Sequence, residues 1–219
     1  TEYPLWETEF FQPASKLLSR LPIYPCLGNH ERNSPHYFDL FVLPGNERFY
    51  TFAWSYASFF ILDIYFSPCD ANSEQYQWLQ TQLANARTPW KFVVLHSPIY
   101  TSGPHGRLNE QGKPRESQIR LGQELLEPLF RKYGITAVFS GHDHLYERSF
   151  KDGIYYIVTG GGGAPLYHPT GDPKQNPYSQ KVVSVYHYCL ITVMRDTVHV
   201  QAKDINGQVI DEFTIARRR

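Results

Sequence analysis

Three short apolar segments of this chain each precede a side chain that can bind a metal ion or a phosphate group. In chain order these are 23–27 before Asn29 and His30, 92–95 before His96, and 135–139 before His142 and His144. Imidazole is the commonest metal ligand among protein side chains. Isolated core histidines would be scattered along helices and strand interiors, whereas these recur at one structural position. The pattern therefore predicts a shared metal- or phosphate-binding site.

The elements that must position this site are buried strands. The segment 135–139 has the length and the β-branched content of a strand, and the other two are strand-like. Ligands in open α/β sheets gather beyond the carboxyl ends of strands. His142 and His144, separated by one residue on such a loop, could point at one ion or at two neighbouring ions.

Three motifs at these strand ends resemble a known family. Gly-Asn-His-Glu at 28–31, Val-Val-Leu-His at 93–96 and Gly-His-Asp-His at 141–144 are similar to the last three of five motif blocks in the calcineurin-like metallophosphoesterases. The Tyr-Glu-Arg that follows at 146–148 points to the purple acid phosphatase branch. The resemblance covers nearly the whole chain. It implies an α/β (α+β) fold, a four-layer α/β/β/α sandwich of two packed mixed sheets.

The resemblance also implies a site of two metal ions that binds a phosphate ester and activates a water or hydroxide for attack on phosphorus. By motif position, Asn29, His96 and His142 would hold one ion, and His144 would help to hold the other. His30 would face the substrate phosphate, where it could stabilise charge on the phosphoryl oxygens or protonate the leaving alkoxide.

A long loop at 97–116 is predicted to form a wall of the site, because loops of this length in compact domains are often active-site walls or lids. His105 on this loop lies where the purple acid phosphatase branch often has a further substrate-facing histidine; the alternative is a solvated loop histidine. The glycine run at 160–163 is predicted to pack tightly beside the site. Tyr167 and His168 beyond it are candidates for the substrate pocket, with ordinary loop packing as the alternative.

The proposed ligands are all neutral, although two divalent ions bring a charge of about +4 and call for a bridging carboxylate. Asp63, which ends an apolar run, is the runner-up for this role. Asp143 is predicted to point away from the two histidines beside it. Glu31 and Glu147 are expected to orient imidazoles or to pair with Arg148.

The family supplies its bridging aspartate from an Asp-x-Gly block and a Gly-Asp-x-x-Tyr block that precede Gly-Asn-His-Glu. Here 28 residues precede Asn29, and they predict one amphipathic helix over 10–21. The expectation is therefore that this sequence begins between the second and third blocks, with the bridging aspartate upstream. The expected cofactors are two metal ions, iron with zinc, manganese or iron.

Composition favours one globular catalytic domain over 1–219. The 219 residues are 42% hydrophobic and 16% aromatic, enough for a sizeable core. Lysine plus arginine equals aspartate plus glutamate at 21 each, so charge does not favour nucleic acid as a partner. There is no apolar run of membrane-spanning length. Three widely spaced cysteines argue against a disulfide scaffold and leave one bridge open. The family resemblance favours a secreted or periplasmic location.

Periodicity and turn residues predict the remaining elements. Helices are expected over 36–42, 73–86 and 117–133, the last ended by Gly134. Strands are expected over 48–52, 58–63, near Tyr155, and over 182–193, 198–203 and 209–215, with a hairpin turn at 206–207.

Three functions follow from these observations. The first is an acid phosphatase-like phosphomonoesterase with a small phosphate ester as substrate. The second is a phosphodiesterase or nucleotide hydrolase on the same scaffold, since the metal chemistry is shared. The third is a binding or regulatory protein that retains the fold without turnover.

Overall fold

The computed structural model describes residues 2–217, which form four helices and two sheets. Helix α1 consists of the consecutive segments Tyr3–Leu5, Trp6–Phe11 and Gln12–Leu18, α2 is Pro35–Leu40, α3 is Glu74–Asn85, and α4 consists of Ser117–Leu121, Gly122–Leu126 and Glu127–Tyr133. The middle segments of α1 and α4 are π-helical. The hydroxyl of Ser73 caps α3 by accepting from Tyr76 N, and Gly134 ends α4 at φ 65°.

Ten strands follow one another along the chain. They are β1 Tyr50–Trp54, β2 Ala57–Ile61, β3 Trp90–Val94, β4 Ala137–Ser140, β5 Tyr146–Lys151, β6 Ile154–Thr159, β7 Ser179–Val183, β8 His187–Val193, β9 Thr197–Asp204 and β10 Val209–Ala216. The first seven form one sheet in the order β1-β2-β3-β4-β6-β5-β7, and the last three form a second sheet in the order β10-β9-β8.

The large sheet is mixed, and its centre is parallel. Strands β2, β3, β4 and β6 run parallel to one another, with Ile61 opposite Val94 and Val94 opposite Phe139. The carboxyl ends of these strands therefore meet at one edge of the sheet, as a shared site requires. The chain leaves this edge at residues 62, 95 and 141.

Two apolar cores hold the layers together. One lies between the large sheet and the helices α3 and α4, and includes Phe60, Leu79, Leu83, Leu126 and Phe130. The other lies between the two sheets and includes Trp90, Phe92, Ala137, Val198 and Val200. The predicted α/β fold with two packed sheets is confirmed. The smaller sheet is antiparallel rather than mixed, because its three strands are joined by two hairpins.

An ion pair also links the sheets. Arg148 on β5 donates through Nε to Asp211 Oδ2 on β10 at 2.6 Å, and Tyr146 donates to the same oxygen at 2.7 Å. The guanidinium lies 4.7 Å above the Phe213 ring. This contact fixes the small sheet against the strand that follows His144.

The predicted strand at 23–27 is wrong. This segment is extended but has no ladder partner in residues 2–217. The Pro25 carbonyl instead accepts from the Tyr37 and Tyr50 hydroxyls, at 3.2 and 2.6 Å, and Tyr24 stacks on Phe52. Side-chain contacts therefore hold a segment that the apolar pattern assigned to a sheet. Conversely, the Tyr-Glu-Arg motif at 146–148, for which no strand was predicted, begins strand β5 at residues 146–151.

The three cysteines are free, so the bridge left open by the sequence does not form. No helix within residues 2–217 has the length and the apolar character needed to cross a membrane. Thr1, Arg218 and Arg219, which belong to the predicted domain, lie outside the described residues.

Candidate metal centre

Asn29, His96 and His142 come together at the carboxyl edge of the large sheet. His96 follows β3 and His142 follows β4, and their ring centroids are 5.1 Å apart. Gly141 N donates to the His96 carbonyl at 2.9 Å, which ties the two loops. Asn29 Oδ1 lies 2.9 Å from His96 Nε2. The structure thus assembles the three side chains that the sequence assigned to one ion.

The backbone at His142 and at Gly28 allows these side chains to approach one another. His142 has φ 64°, a left-handed conformation that is uncommon for a residue other than glycine. At Gly28, a Cβ atom would lie 2.6 Å from His96 Nδ1, which is closer than side chains approach one another. Gly28 therefore allows the Asn29 loop to pass directly against the His96 ring.

Glu116 is a member of the site that sequence reasoning missed. Its Oε1 lies 2.5 Å from His105 Nδ1, and its Oε2 lies 3.2 Å from His142 Nε2. Nitrogen and oxygen atoms of His105, Glu116 and His142 all fall within 4.8 Å of one another. The available signal was its place, the last residue of the long loop before α4, but Glu110 lies on the same loop, so this place alone does not single out Glu116.

Burial and hydrogen bonds shift the pKa values of three residues at this site. Burial raises the pKa of Glu116, but hydrogen bonds from His105 and His142 outweigh it and bring the pKa to about 2. The same bond to Glu116 raises the pKa of His105, against an opposing effect of burial. Burial, assisted by neighbouring histidines, lowers the pKa of His96 to about 3. His96 is therefore neutral, which is the form that binds metal.

Tyr65 is a second residue that the sequence did not indicate. Its hydroxyl lies 3.2 Å from His142 Nε2, and burial raises its pKa, so the phenol stays protonated. Asp63 holds this loop, since its carboxylate accepts from the backbone N–H groups of Tyr65 and Phe66 at 3.1 and 2.9 Å and from the Ser67 hydroxyl at 2.7 Å. The carboxylate of Asp63, the runner-up for bridging, is thus directed into its own loop.

His144 is held by residues of the loop that follows β6. Its Nδ1 is 2.7 Å from the Pro165 carbonyl, and its ring stacks on Tyr167 with centroids 4.2 Å apart. A carbonyl can only accept, so Nδ1 carries the proton and Nε2 keeps a free lone pair. Tyr167 thus lines the site, and the His144 tautomer suits metal binding. His168 is exposed beyond it.

Asp143 lies between the two histidines with its carboxylate turned towards the His105 loop. Its Oδ2 accepts from the Thr101 hydroxyl at 2.6 Å, and its Oδ1 accepts from His105 N at 3.3 Å. Gly160 packs against it, since a Cβ there would lie 2.2 Å from the Asp143 carbonyl oxygen. The glycine run thus packs closely beside the site.

The expectation that Glu147 orients an imidazole or pairs with Arg148 is wrong. Glu147 is fully buried and accepts from Ser102 N and Ser102 Oγ, both at 2.6 Å. Neighbouring residues on a strand point to opposite faces, which sends Glu147 to the site loop and Arg148 to the small sheet. Glu31 accepts from Gly28 N at 2.6 Å and so closes the Asn29 turn.

His30 is exposed on the turn that follows Asn29. It borders a cleft of about 570 Å³ between this turn and helix α1, whose wall includes Trp6, Phe10 and Arg32. A substrate could approach His30 from this side without displacing a core residue. The placement is compatible with a substrate-facing role rather than a ligand role.

The donor set fits a transition metal. It offers imidazole nitrogens from His96 and His142 and an amide oxygen from Asn29, a mixture that zinc, iron and manganese accept. His144 could hold a further ion through its free Nε2. The carboxylate of Glu116 lies beside this set and contacts the His142 ring.

Comparisons with known proteins show what this chain is similar to. The family model for calcineurin-like phosphoesterase matches residues 2–146. The chain is 26% identical to acid phosphatase type 7 of Mus musculus, covering 95% of this chain and 56% of that protein. It is 32% identical to purple acid phosphatase 22 of Arabidopsis thaliana, covering 74% of this chain and 41% of that protein. The chain thus spans about half the length of these relatives.

Solved structures give the same fold. The purple acid phosphatase PPD1 from yellow lupin seeds superposes with a TM-score of 0.69 at 23% identity, over 81% of this chain and 34% of that one. GAP50, the anchor in the inner membrane complex of Plasmodium, superposes with a TM-score of 0.61 at 21% identity, over 78% of this chain and 54% of that one.

Proposed function

Because this chain belongs to the calcineurin-like phosphoesterase family, and its relatives include acid and purple acid phosphatases, we propose that it hydrolyses phosphate monoesters at the site described above. The observation that carries the proposal is the meeting of His96 and His142 at the ends of adjacent parallel strands, with the two rings 5.1 Å apart and Asn29 Oδ1 2.9 Å from His96 Nε2.

In this proposal Asn29, His96 and His142 hold one metal ion, and His144 contributes to a second. Two such ions would polarise the phosphoryl oxygens and lower the pKa of a water molecule, which makes it a nucleophile near neutral pH. The metals are iron with zinc, manganese or iron. Tyr65 and Glu116 orient the His142 ring through their contacts with Nε2.

The remaining histidines act on the substrate. His105, whose charged form is favoured because the hydrogen bond to Glu116 raises its pKa, donates to a phosphoryl oxygen and stabilises charge that develops there. His30, which is exposed and lines the cleft, stabilises charge on the phosphoryl oxygens or donates a proton to the leaving alkoxide. The resemblance also calls for a bridging carboxylate, which would complete the charge balance of the centre. A location outside the cytoplasm stays a prediction of the resemblance.

The test is hydrolysis of 4-nitrophenyl phosphate by purified protein reconstituted with iron and zinc or manganese, with elemental analysis of the same sample. We expect turnover of the monoester, about two ions per chain in the whole protein, and loss of both in His142→Ala. Faster turnover of bis(4-nitrophenyl) phosphate would favour the phosphodiesterase. Metal-free, inactive protein would leave the binding or regulatory function.

A further inference from the structure

The loop segment 101–107, which carries His105, has few backbone hydrogen bonds within itself. Gly106 N donates to Gly103 O at 3.2 Å and Arg107 N to Pro104 O at 3.4 Å, which is a single tight turn. Its position is set from outside, by the buried carboxylates Asp143 and Glu147 described above. The proline-rich segment 169–180 adds a second set of contacts, because two of its residues are buried.

Gln175 is 6% exposed and forms hydrogen bonds with the backbone of this loop. Its Nε2 donates to the carbonyl oxygens of Thr101 at 2.9 Å and Gly103 at 2.5 Å. Its Oε1 accepts from the Thr170 hydroxyl at 2.7 Å, and Thr170 N donates to Ser102 O at 2.8 Å. Both donors and the acceptor of the amide are therefore used, which fixes its orientation.

Asn176 is 4% exposed and holds the same loop through Glu147. Its Nδ2 donates to Glu147 Oε1 and to Ser149 Oγ, both at 2.8 Å. Glu147 in turn accepts from the backbone and the hydroxyl of Ser102. A buried carboxylate that loses a donor must move or take up a proton. Asn176 therefore keeps Glu147 in the position that Ser102 requires.

We propose that Gln175 and Asn176 form an amide clamp that positions His105 for phosphate ester hydrolysis, a role that rests on the proposed function. The clamp acts on residues 101–103, and His105 follows two residues later. Thr101 is held on both sides, by Gln175 at its carbonyl and by Asp143 at its hydroxyl. Because a displacement of about 1 Å in a catalytic group can lower a rate about a hundredfold, this restraint bears directly on turnover.

A double-mutant cycle tests whether the clamp acts through His105. Gln175→Met keeps the side-chain length and removes both donors. We expect it to lower kcat/KM for 4-nitrophenyl phosphate about tenfold or more, mainly in kcat. In a His105→Ala background, the same substitution should lower kcat/KM less than about twofold, because the positioned group is gone. Asn176→Leu should show the same dependence on His105.

Gln111→Met is the matched control, since Gln111 is exposed on the same long loop and should leave the kinetics unchanged. If Gln175→Met does not fold, Thr170→Val replaces it, because this variant retains Gln175 and removes the partner of its Oε1. An equal loss in both backgrounds, or no loss in either, would overturn the clamp. A wild-type protein without monoesterase activity would instead refute the proposed function.

Discussion

His105 Nδ1 and Glu116 Oε1 lie 2.5 Å apart, while the other oxygen of the same carboxylate lies 3.2 Å from His142 Nε2. One acid therefore connects a proposed substrate-facing imidazole with a proposed metal-ligating imidazole. The two rings are also in contact, with centroids 3.7 Å apart. Glu116 sets the charge of the first ring and the orientation of both, which makes it the most informative site residue to change.

Glu116→Gln should keep one hydrogen bond to each ring and remove the charge. We expect kcat/KM for 4-nitrophenyl phosphate to fall about tenfold to a hundredfold, because an imidazolium that loses its carboxylate partner is a weaker electrostatic catalyst. Steady-state kinetics measures the loss. Glu110→Gln is the control, since Glu110 is exposed on the same loop. Similar kinetics in both variants would argue against a role for the carboxylate.

Metal content should distinguish the proposed metal ligand His142 from the proposed substrate-facing residue His30. His142→Ala is expected to remove bound metal and activity together, because His142 is a proposed ligand. His30→Ala should retain the metal and lower kcat about a hundredfold, as expected for loss of a general acid. Elemental analysis and kinetics on the same preparations check this. Equal metal loss in the two variants would contradict the division of roles.

Most helices and strands could be predicted from local patterns of apolar and capping residues. The long helices α3 and α4 and most strands are amphipathic or apolar segments with clear caps, such as Ser73 and Gly134. The segment 23–27 has the same pattern but no strand beside it in the described residues. A strand needs a hydrogen-bonding partner as well as an apolar sequence, and the partner is not a local property.

The site was predictable where a strand end or a family motif marks the residues, and not where an unmarked loop residue reaches the site. His96 and His142 meet because parallel neighbours end at one edge. Glu116 and Tyr65 reach the same point from a long loop and a turn, whose paths depend on buried contacts such as Asp63 to Tyr65 N. The spacing of residues along the sequence does not predict those contacts. Local sequence could therefore supply the imidazoles but not the carboxylate and phenol beside them.

Gly28→Ala tests how closely the Asn29 loop must pass the metal site. The added methyl group would lie 2.6 Å from His96 Nδ1, so the ring must shift away from Asn29. We expect metal affinity to fall about tenfold to a hundredfold, as for other disturbed ligand supports. Gly162→Ala is the control, because a Cβ there meets no atom within 4 Å. Competition with a metal indicator dye measures both, and equal affinities would refute the steric argument.

Asp211→Asn should weaken the link between the two sheets. The variant loses the ion pair with Arg148, whose Nε lies 2.6 Å from the carboxylate, and weakens the bond from Tyr146. We expect the free energy of unfolding at pH 7 to fall by about 1–3 kcal/mol. Urea unfolding measures the change. Asp196→Asn is the control, because its 3.9 Å pair with Arg217 is exposed and should contribute less than about 1 kcal/mol.

The difference in unfolding free energy between wild type and Asp211→Asn should change with pH in a defined direction. Burial raises the pKa of Asp211, but the hydrogen bonds from Arg148 and Tyr146 outweigh it, so the folded-state pKa lies below its usual value. A lowered folded pKa means that the stabilisation is complete above the unfolded pKa of about 3.9 and is lost as the pH falls through the folded pKa. The difference between wild type and Asp211→Asn should therefore be constant near neutrality and shrink below about pH 4. A difference that grows on acidification would mean that Asp211 is not held as a carboxylate by Arg148.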